Sequence, residues 1–256
     1  MEIELDSHLA GGGTVQRTSD GWRLEIPAGQ PRHFRLAQLD DYTRLSRRHL
    51  IHSAPVIMSL RARLSGVDQP GTWGFGFWND PFGLSIGFGG APARLPALPQ
   101  TAWFMHASPP NWLSFQENTA GTPSNGFFAG IFHSLRIPSI LFLPGLLVLP
   151  LLASKPVSRL LRRLASRIIQ QQAVSVNLDE TAWHAYSIKW LRDFCVFYVD
   201  GDEILKTSCS PFPPLGLVLW IDNQFAAWDP QGQLAYGTLE NPAAWMEIEG
   251  MNVWQE

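Results

Sequence analysis

The sequence predicts an all-β protein of antiparallel strands, and three observations predict it. The first is composition: 11 Trp and 15 Phe stand beside 20 Pro and 22 Gly, a mixture that suits many short strands joined by turns, while charged residues reach only 16%. The second is residues 183–205, WHAYSIKWLRDFCVFYVDGDEIL, where two alternating runs end at Asp200-Gly201, a strong short-range turn signal. The third is size, because a chain of 256 residues buries a substantial core and all-β sandwiches of that length are commonly one domain.

Taken in order, residues 22–26 read as a short strand, and residues 32–50, rich in Arg and Leu, read as a loop with one helical turn. Residues 54–64 alternate, with Arg61 and Arg63 on one face and Leu60, Ala62 and Leu64 on the other, which predicts a half-buried strand. In GTWGFGFWNDPFG, Trp73, Phe75, Phe77 and Asn79 share one face, and Gly74, Gly76, Trp78 and Asp80 share the other. Two glycines on one face leave room for something to approach the backbone. Residues 103–118, WFMHASPPNWLSFQEN, carry one acid, Glu117, and one other titratable side chain, His106. Residues 215–228 begin as pure core and finish in Asp222, Asn223 and Gln224, polar groups that read as a loop turning to water or as the rim of a site. Glu247 and Glu249 near the end read as a solvated strand face.

Residues Trp183, His184, Tyr186 and Trp190, followed by Phe197, Tyr198, Val199, Asp200 and Gly201, resemble the W/F-H-x-Y-x-x-x-W segment and F-Y-V-D-G hairpin of laminarinase-like family 16 glycoside hydrolases. Phe77, Trp78 and Asn79 resemble that family's aromatic platform. The resemblance implies a concanavalin A-like jelly roll of two curved antiparallel sheets with a ligand site on the concave face. It also implies an E-x-D-x-E catalytic strand, and there the sequence departs from the pattern. Retaining hydrolysis needs two carboxyl groups about 5–5.5 Å apart. A lone Glu117 does not supply them, so family-type hydrolysis is not expected.

Residues 126–172 have no counterpart in the hydrolases. Eighteen residues between Arg136 and Lys155 carry no charge, and the stretch after them places Val157, Leu160, Leu161, Leu164 and Ile168 on one helical face, with Arg159, Arg162, Arg163 and Arg167 over the rest and Ser154 as the N-cap candidate. Pro138, Pro144 and Pro150 break any spanning helix. Three readings stand: a lid over an apolar pocket, a hairpin dipping into one leaflet beside a basic helix, or core packing.

Net charge is −3, with no basic stripe, so nucleic acid is not an expected partner. Metal-ligand spacing is lacking, so no cofactor is expected beyond a structural calcium on loop oxygens. Cys195 and Cys209 flank a turn that does not set them opposite each other, which predicts free thiols. With no apolar leader in the sequence, the expected location is cytoplasmic, with peripheral membrane contact through residues 137–169.

The functional expectation is a non-hydrolytic jelly roll that holds a lipid or terpenoid-like molecule among Trp78, Trp103, Trp112 and Trp220. His106, Glu117, Asn79, Asp80, Asp222, Asn223 and Gln224 would serve as polar groups. One alternative is an enzyme that isomerises or cyclises an apolar substrate there, with His106 or Glu117 moving the proton. The other is a divergent glycosidase or carbohydrate-binding module.

Overall fold

The computed structural model describes residues 4–81, 94–116, 123–142 and 154–255. Its strands are β1 (Asp6–Ala10), β2 (Thr14–Arg17), β3 (Gly21–Ile26), β4 (Leu36–Asp40), β5 (Val56–Leu64), β6 (Thr72–Trp78), β7 (Thr101–Ala107) and β8 (Gly126–Ser134), then, after helix α1 (Lys155–Ile168), β9 (Ile169–Ser175). There follow β10 (His184–Trp190), β11 (Cys195–Val199), β12 (Asp202–Thr207), β13 (Gly216–Asp222), β14 (Gln224–Trp228), β15 (Leu234–Thr238) and β16 (Ala244–Gln255). They form two seven-stranded sheets, β1-β4-β13-β6-β7-β8-β9 and β12-β11-β10-β5-β16-β3-β2, with β14-β15 as a separate ribbon.

The hairpin signal is realised: β11 and β12 meet at Asp200 and Gly201, both with positive φ (51° and 91°), the conformation that the right-handed strand twist selects. Strand β5 shows the predicted alternation, with Arg61 exposed, Arg63 half-buried and Leu60, Ala62 and Leu64 buried. Residues 32–50 differ from expectation, since a strand, β4, precedes the 3-10 turn Arg47–His49. All five residues of β4 are buried, so polar and apolar side chains do not alternate and the period that announces a strand is missing.

The main core lies between the sheets, where Phe75, Phe77, Phe104, Leu217 and Leu219 of the first face Met58, Tyr186, Ile188, Trp190 and Phe197 of the second. A second apolar cluster covers the other face of the first sheet: Trp103, Met105, Phe128, Phe132 and Trp220, with Leu45, Leu98, Leu113, Phe115 and Ile168 packed on them from loops and α1. Glu247 is not simply solvated, because it binds Arg23 and Arg63, and Glu249 pairs with Arg61. Cys195 and Cys209 are free and buried.

The excursion between sheet strands is narrower than residues 126–172, because residues 126–134 and 169–175 are β8 and β9, paired antiparallel with Ser134 opposite Ile169. Residues 143–153, most of the uncharged run, lie outside the described residues. In α1 the burial only partly follows the predicted face, since Val157, Leu161 and Ile168 are half-buried, Ile168 against the second cluster. Ser158 and Arg162 point inward, whereas Leu160 and Leu164 are 57% and 46% exposed. The reason is polar: the Arg162 guanidinium donates to the carbonyl oxygens of Trp228, Ser114 and Gln116, and Trp228 Nε1 donates to Ser158 Oγ. Ser154 occupies the N-cap position without a side-chain capping bond.

Candidate functional site

The outer face of the first sheet gathers three of the four predicted tryptophans. Alternation puts Trp103 and Met105 of β7 on the face opposite Phe104, and the pairing of β13 with β6 sets Trp220 against Gly74. Trp78 and Trp220 have nearly parallel ring planes with centres 6.4 Å apart, and Trp103 lies 5.7 Å from Trp220 and 6.1 Å from Trp78. The two glycines have a direct role here. A Cβ on Gly74 would come within 2.7 Å of the Trp220 ring, and one on Gly76 within 2.7 Å of Trp103 Cβ. The space beside Gly74 is taken by the Trp220 indole, and that beside Gly76 by the backbone of β7.

Polar groups on this face are few, and its carboxylates and Thr72 are already bonded. Trp220 Nε1 donates to Thr72 Oγ1 (2.9 Å), and Asp222 Oδ1 accepts from Thr72 Oγ1 (2.9 Å), Thr72 N and Gln224 N. Burial pushes the Asp222 carboxyl up to about 7, against the pull of the Gln224 and Thr72 bonds. Asp40 accepts from Tyr42 N and Thr43 N at one oxygen and from Gln38 Nε2 and Thr43 Oγ1 at the other. Burial, reinforced by Asp40 and Asp80, raises the Tyr42 hydroxyl well above its ordinary value, so it stays neutral. Trp103 Nε1 is buried without a hydrogen-bond partner among the described residues.

Asp40 and Asp222, the acids that β4 and β13 place on this face, are too far apart for two-carboxylate catalysis. Asp40 stands opposite Val218 and Asp222 opposite Leu36, four residues along the β4–β13 pair and hence about 13 Å apart, beyond both the retaining and the inverting separations. Asp6 does stand opposite Asp40 in β1, but Asp6 pairs with Arg44 (2.7 Å) and all of Asp40's bonding is internal.

Several predicted site residues lie elsewhere. His106 shares the inward face with Phe104: its ring stacks on Trp73 (5.6 Å) and its Nδ1 is 3.3 Å from Glu180 Oε1, so it does not reach the tryptophan face. The two-residue period of β7, which puts Trp103 outside, puts His106 inside. Trp112 is tied by its backbone to β14 and has no ring contact with the other three among the described residues. Asn79 and Asn223 are scaffold residues. Asn79 bonds Leu98 O and Gln100 N, whereas Asn223 bonds Arg35 N, His33 O and Leu239 O. Asp80 is buried in an ion pair with Arg94 (2.8 Å), and Gln224 is buried opposite Thr238. Glu117 lies outside the described residues. The residues missed were Met105, Phe128, Phe132 and Thr72. Met105 and Thr72 were legible from the alternation around Trp103 and Trp73.

Among the described residues no group of three or more metal-ligating side chains could hold an ion. No family model matches the chain, and no curated protein matches it in sequence. Solved structures do resemble it. A legume lectin-like domain from Entamoeba histolytica is 7% identical, with 98% of this chain and 90% of that one covered at a TM-score of 0.50. A β-glucanase from Bacillus licheniformis is 10% identical, covering 98% and 92% at 0.48, and a Crh5 transglycosylase in complex with NAG is 10% identical, covering 98% and 78% at 0.49. Two packed seven-stranded antiparallel sheets that superpose on a legume lectin-like domain over almost the whole chain give this protein the concanavalin A-like jelly-roll fold.

Proposed function

We propose that the protein is a non-hydrolytic jelly roll that binds a lipid- or terpenoid-like ligand on the tryptophan face of its first sheet. One observation carries the proposal: the floor of Trp78, Trp103, Trp220, Met105, Phe128 and Phe132 is aromatic and apolar, and the polar groups beside it, Thr72, Asp222 and Asp40, are bonded to one another or to the backbone. A sugar needs many unspent donors and acceptors around its ring hydroxyls, whereas an apolar body needs area and a few polar handles. The side chains that cover the floor, Leu98, Leu113 and Phe115, come from connecting segments, so a ligand can replace them without opening a strand ladder.

The test is quenching of intrinsic tryptophan fluorescence, titrated with farnesol and, in parallel, with laminarihexaose. Saturable quenching by farnesol that Met105→Ala weakens is the expected result. Quenching by the oligosaccharide alone would replace this reading with carbohydrate recognition, the function class in which the fold's lectin-like and glucanase neighbours stand. A second reading, proton transfer to or from such a ligand, is favoured by Asp222. This carboxyl titrates near neutrality and is linked through Thr72 to the Trp220 indole, a position that His106 does not occupy.

A further inference from the structure

Between the paired ends of β8 and β9 the chain leaves the sandwich and displays apolar side chains to solvent. Leu135 is 55% exposed, Ile140 63% and Leu141 64%, and on α1 Leu160 is 57% and Leu164 46% exposed. Leu135 N donates to Ile168 O, which holds the departing strand against the last turn of the helix. Residues 143–153, in sequence the link between these two segments, carry no charge at all. Solvent-exposed apolar residues singly are ordinary, but four leucines and an isoleucine on one excursion are a liability unless something covers them.

The charge beside them says what the cover is. From Asn118 to Leu178 there are six Lys and Arg and no Asp or Glu, although the chain as a whole carries −3, so the remainder carries −9. On α1, Lys155, Arg159, Arg163 and Arg167 are exposed next to Leu160 and Leu164. Arg159 donates to Gln231 O, and Arg136 donates to Pro213 O while stacking on Phe212 at 4.5 Å; among the described residues these are contacts to carbonyls and a ring, not to carboxylates. Helix stability does not explain the pattern. Lys155 and Arg159 sit at the N-terminal end of α1, where the macrodipole opposes cations, and its first turn has no acid. Apolar residues flanked by arginines on the exposed side of a helix match the interface of an anionic bilayer, where leucines enter the acyl boundary and guanidiniums meet phosphates. No described helix is long and apolar enough to cross a membrane, so the contact is peripheral.

We infer that this excursion docks the protein on anionic lipid surfaces through Leu135, Ile140, Leu141, Leu160 and Leu164, with Lys155, Arg159 and Arg167 selecting the negative headgroups. The inference is independent of what the tryptophan face binds. Its test is cosedimentation with phosphatidylcholine vesicles with and without about one-third phosphatidylserine. The full chain should pellet with the anionic vesicles and remain in solution with neutral ones. Raising salt from about 0.1 M to about 1 M, which shortens the screening length from about 10 Å to about 3 Å, should remove the preference. Leu160→Glu/Leu164→Glu should lower the bound fraction about tenfold. Ile140→Glu/Leu141→Glu provides a second, independent variant, and thermal melts check that both remain folded. Unaltered binding by both folded variants, or no sedimentation of the parent, overturns the inference. So does a concentration-dependent dimer that the same substitutions disperse, which would place a second copy of the chain on this surface.

Discussion

The two faces of the first sheet are both buried, but by different means. Phe104, pointing inward from β7, meets Phe75, Tyr186 and Phe197, residues held by the main-chain ladders of two sheets. Trp103, its neighbour pointing outward, meets Trp78, Phe132 and Trp220 of its own sheet, in a cluster on which side chains from loops and α1 pack. Burial alone therefore does not distinguish core from site. What distinguishes them is whether the covering element can move without unpairing strands, since loops open locally at lower cost than ladders.

The largest test of that contrast uses two adjacent residues. Phe104→Ala removes an aromatic ring from between the sheets and should cost about 3–5 kcal/mol, whereas Met105→Ala, on the covered outer face, should cost about 2 kcal/mol, because loose loop side chains collapse into the vacancy better than paired strands do. Urea unfolding of both variants measures it. Equal losses would make the outer face a second rigid core, and the ligand reading would lose its physical basis.

Asp222 gives the next largest effect and sharpens the comparison by pH. Its folded carboxyl titrates near 7, whereas an unfolded aspartate titrates near 4, so the fold favours the protonated form. The stability this confers is fully present below about pH 4 and is lost as pH rises through about 7. Asp222→Asn keeps the oxygen that accepts from Thr72 and Gln224 but cannot ionise. The variant should match the parent at pH 4 and exceed it by up to about 4 kcal/mol at pH 8. Thermal melts that ran parallel across this range would show that Asp222 is solvated and the face open to water.

Much of the sandwich was legible because β5 and β10 alternate between a buried and a more open face and the β11–β12 hairpin ends in a turn with a fixed chemistry. β4 was not, since with both faces covered Leu36, Ala37, Gln38, Leu39 and Asp40 are all buried. The helix misled for a related reason. Its leucines have the spacing of a buried face, but the backbone carbonyls of Trp228 at the end of β14 and of Ser114 and Gln116 after β7 draw Arg162 inward, and no helical period encodes partners so distant in sequence. His106 shows the limit for sites. Its spacing from Trp103 already assigned it the opposite face, yet a histidine among aromatics reads as chemistry before its strand register is counted.

The smallest expected effect separates two tryptophans on the same face. Trp220 Nε1 donates to Thr72 Oγ1, whereas Trp103 Nε1 is buried without a partner among the described residues. Replacing each by Phe removes similar ring area, so the difference between the two variants isolates the indole hydrogen bond, worth about 1 kcal/mol. Trp220→Phe should therefore be the more destabilised of the pair, and the Trp103→Phe loss should come from packing alone. If Trp103 is instead the donor that orients a bound ligand's polar end, Trp103→Phe should weaken farnesol quenching more than it weakens the fold. A Trp103→Phe variant that binds farnesol as the parent does would leave its unpaired N–H without a role in recognition and confine the ligand's contacts on this face to apolar surface.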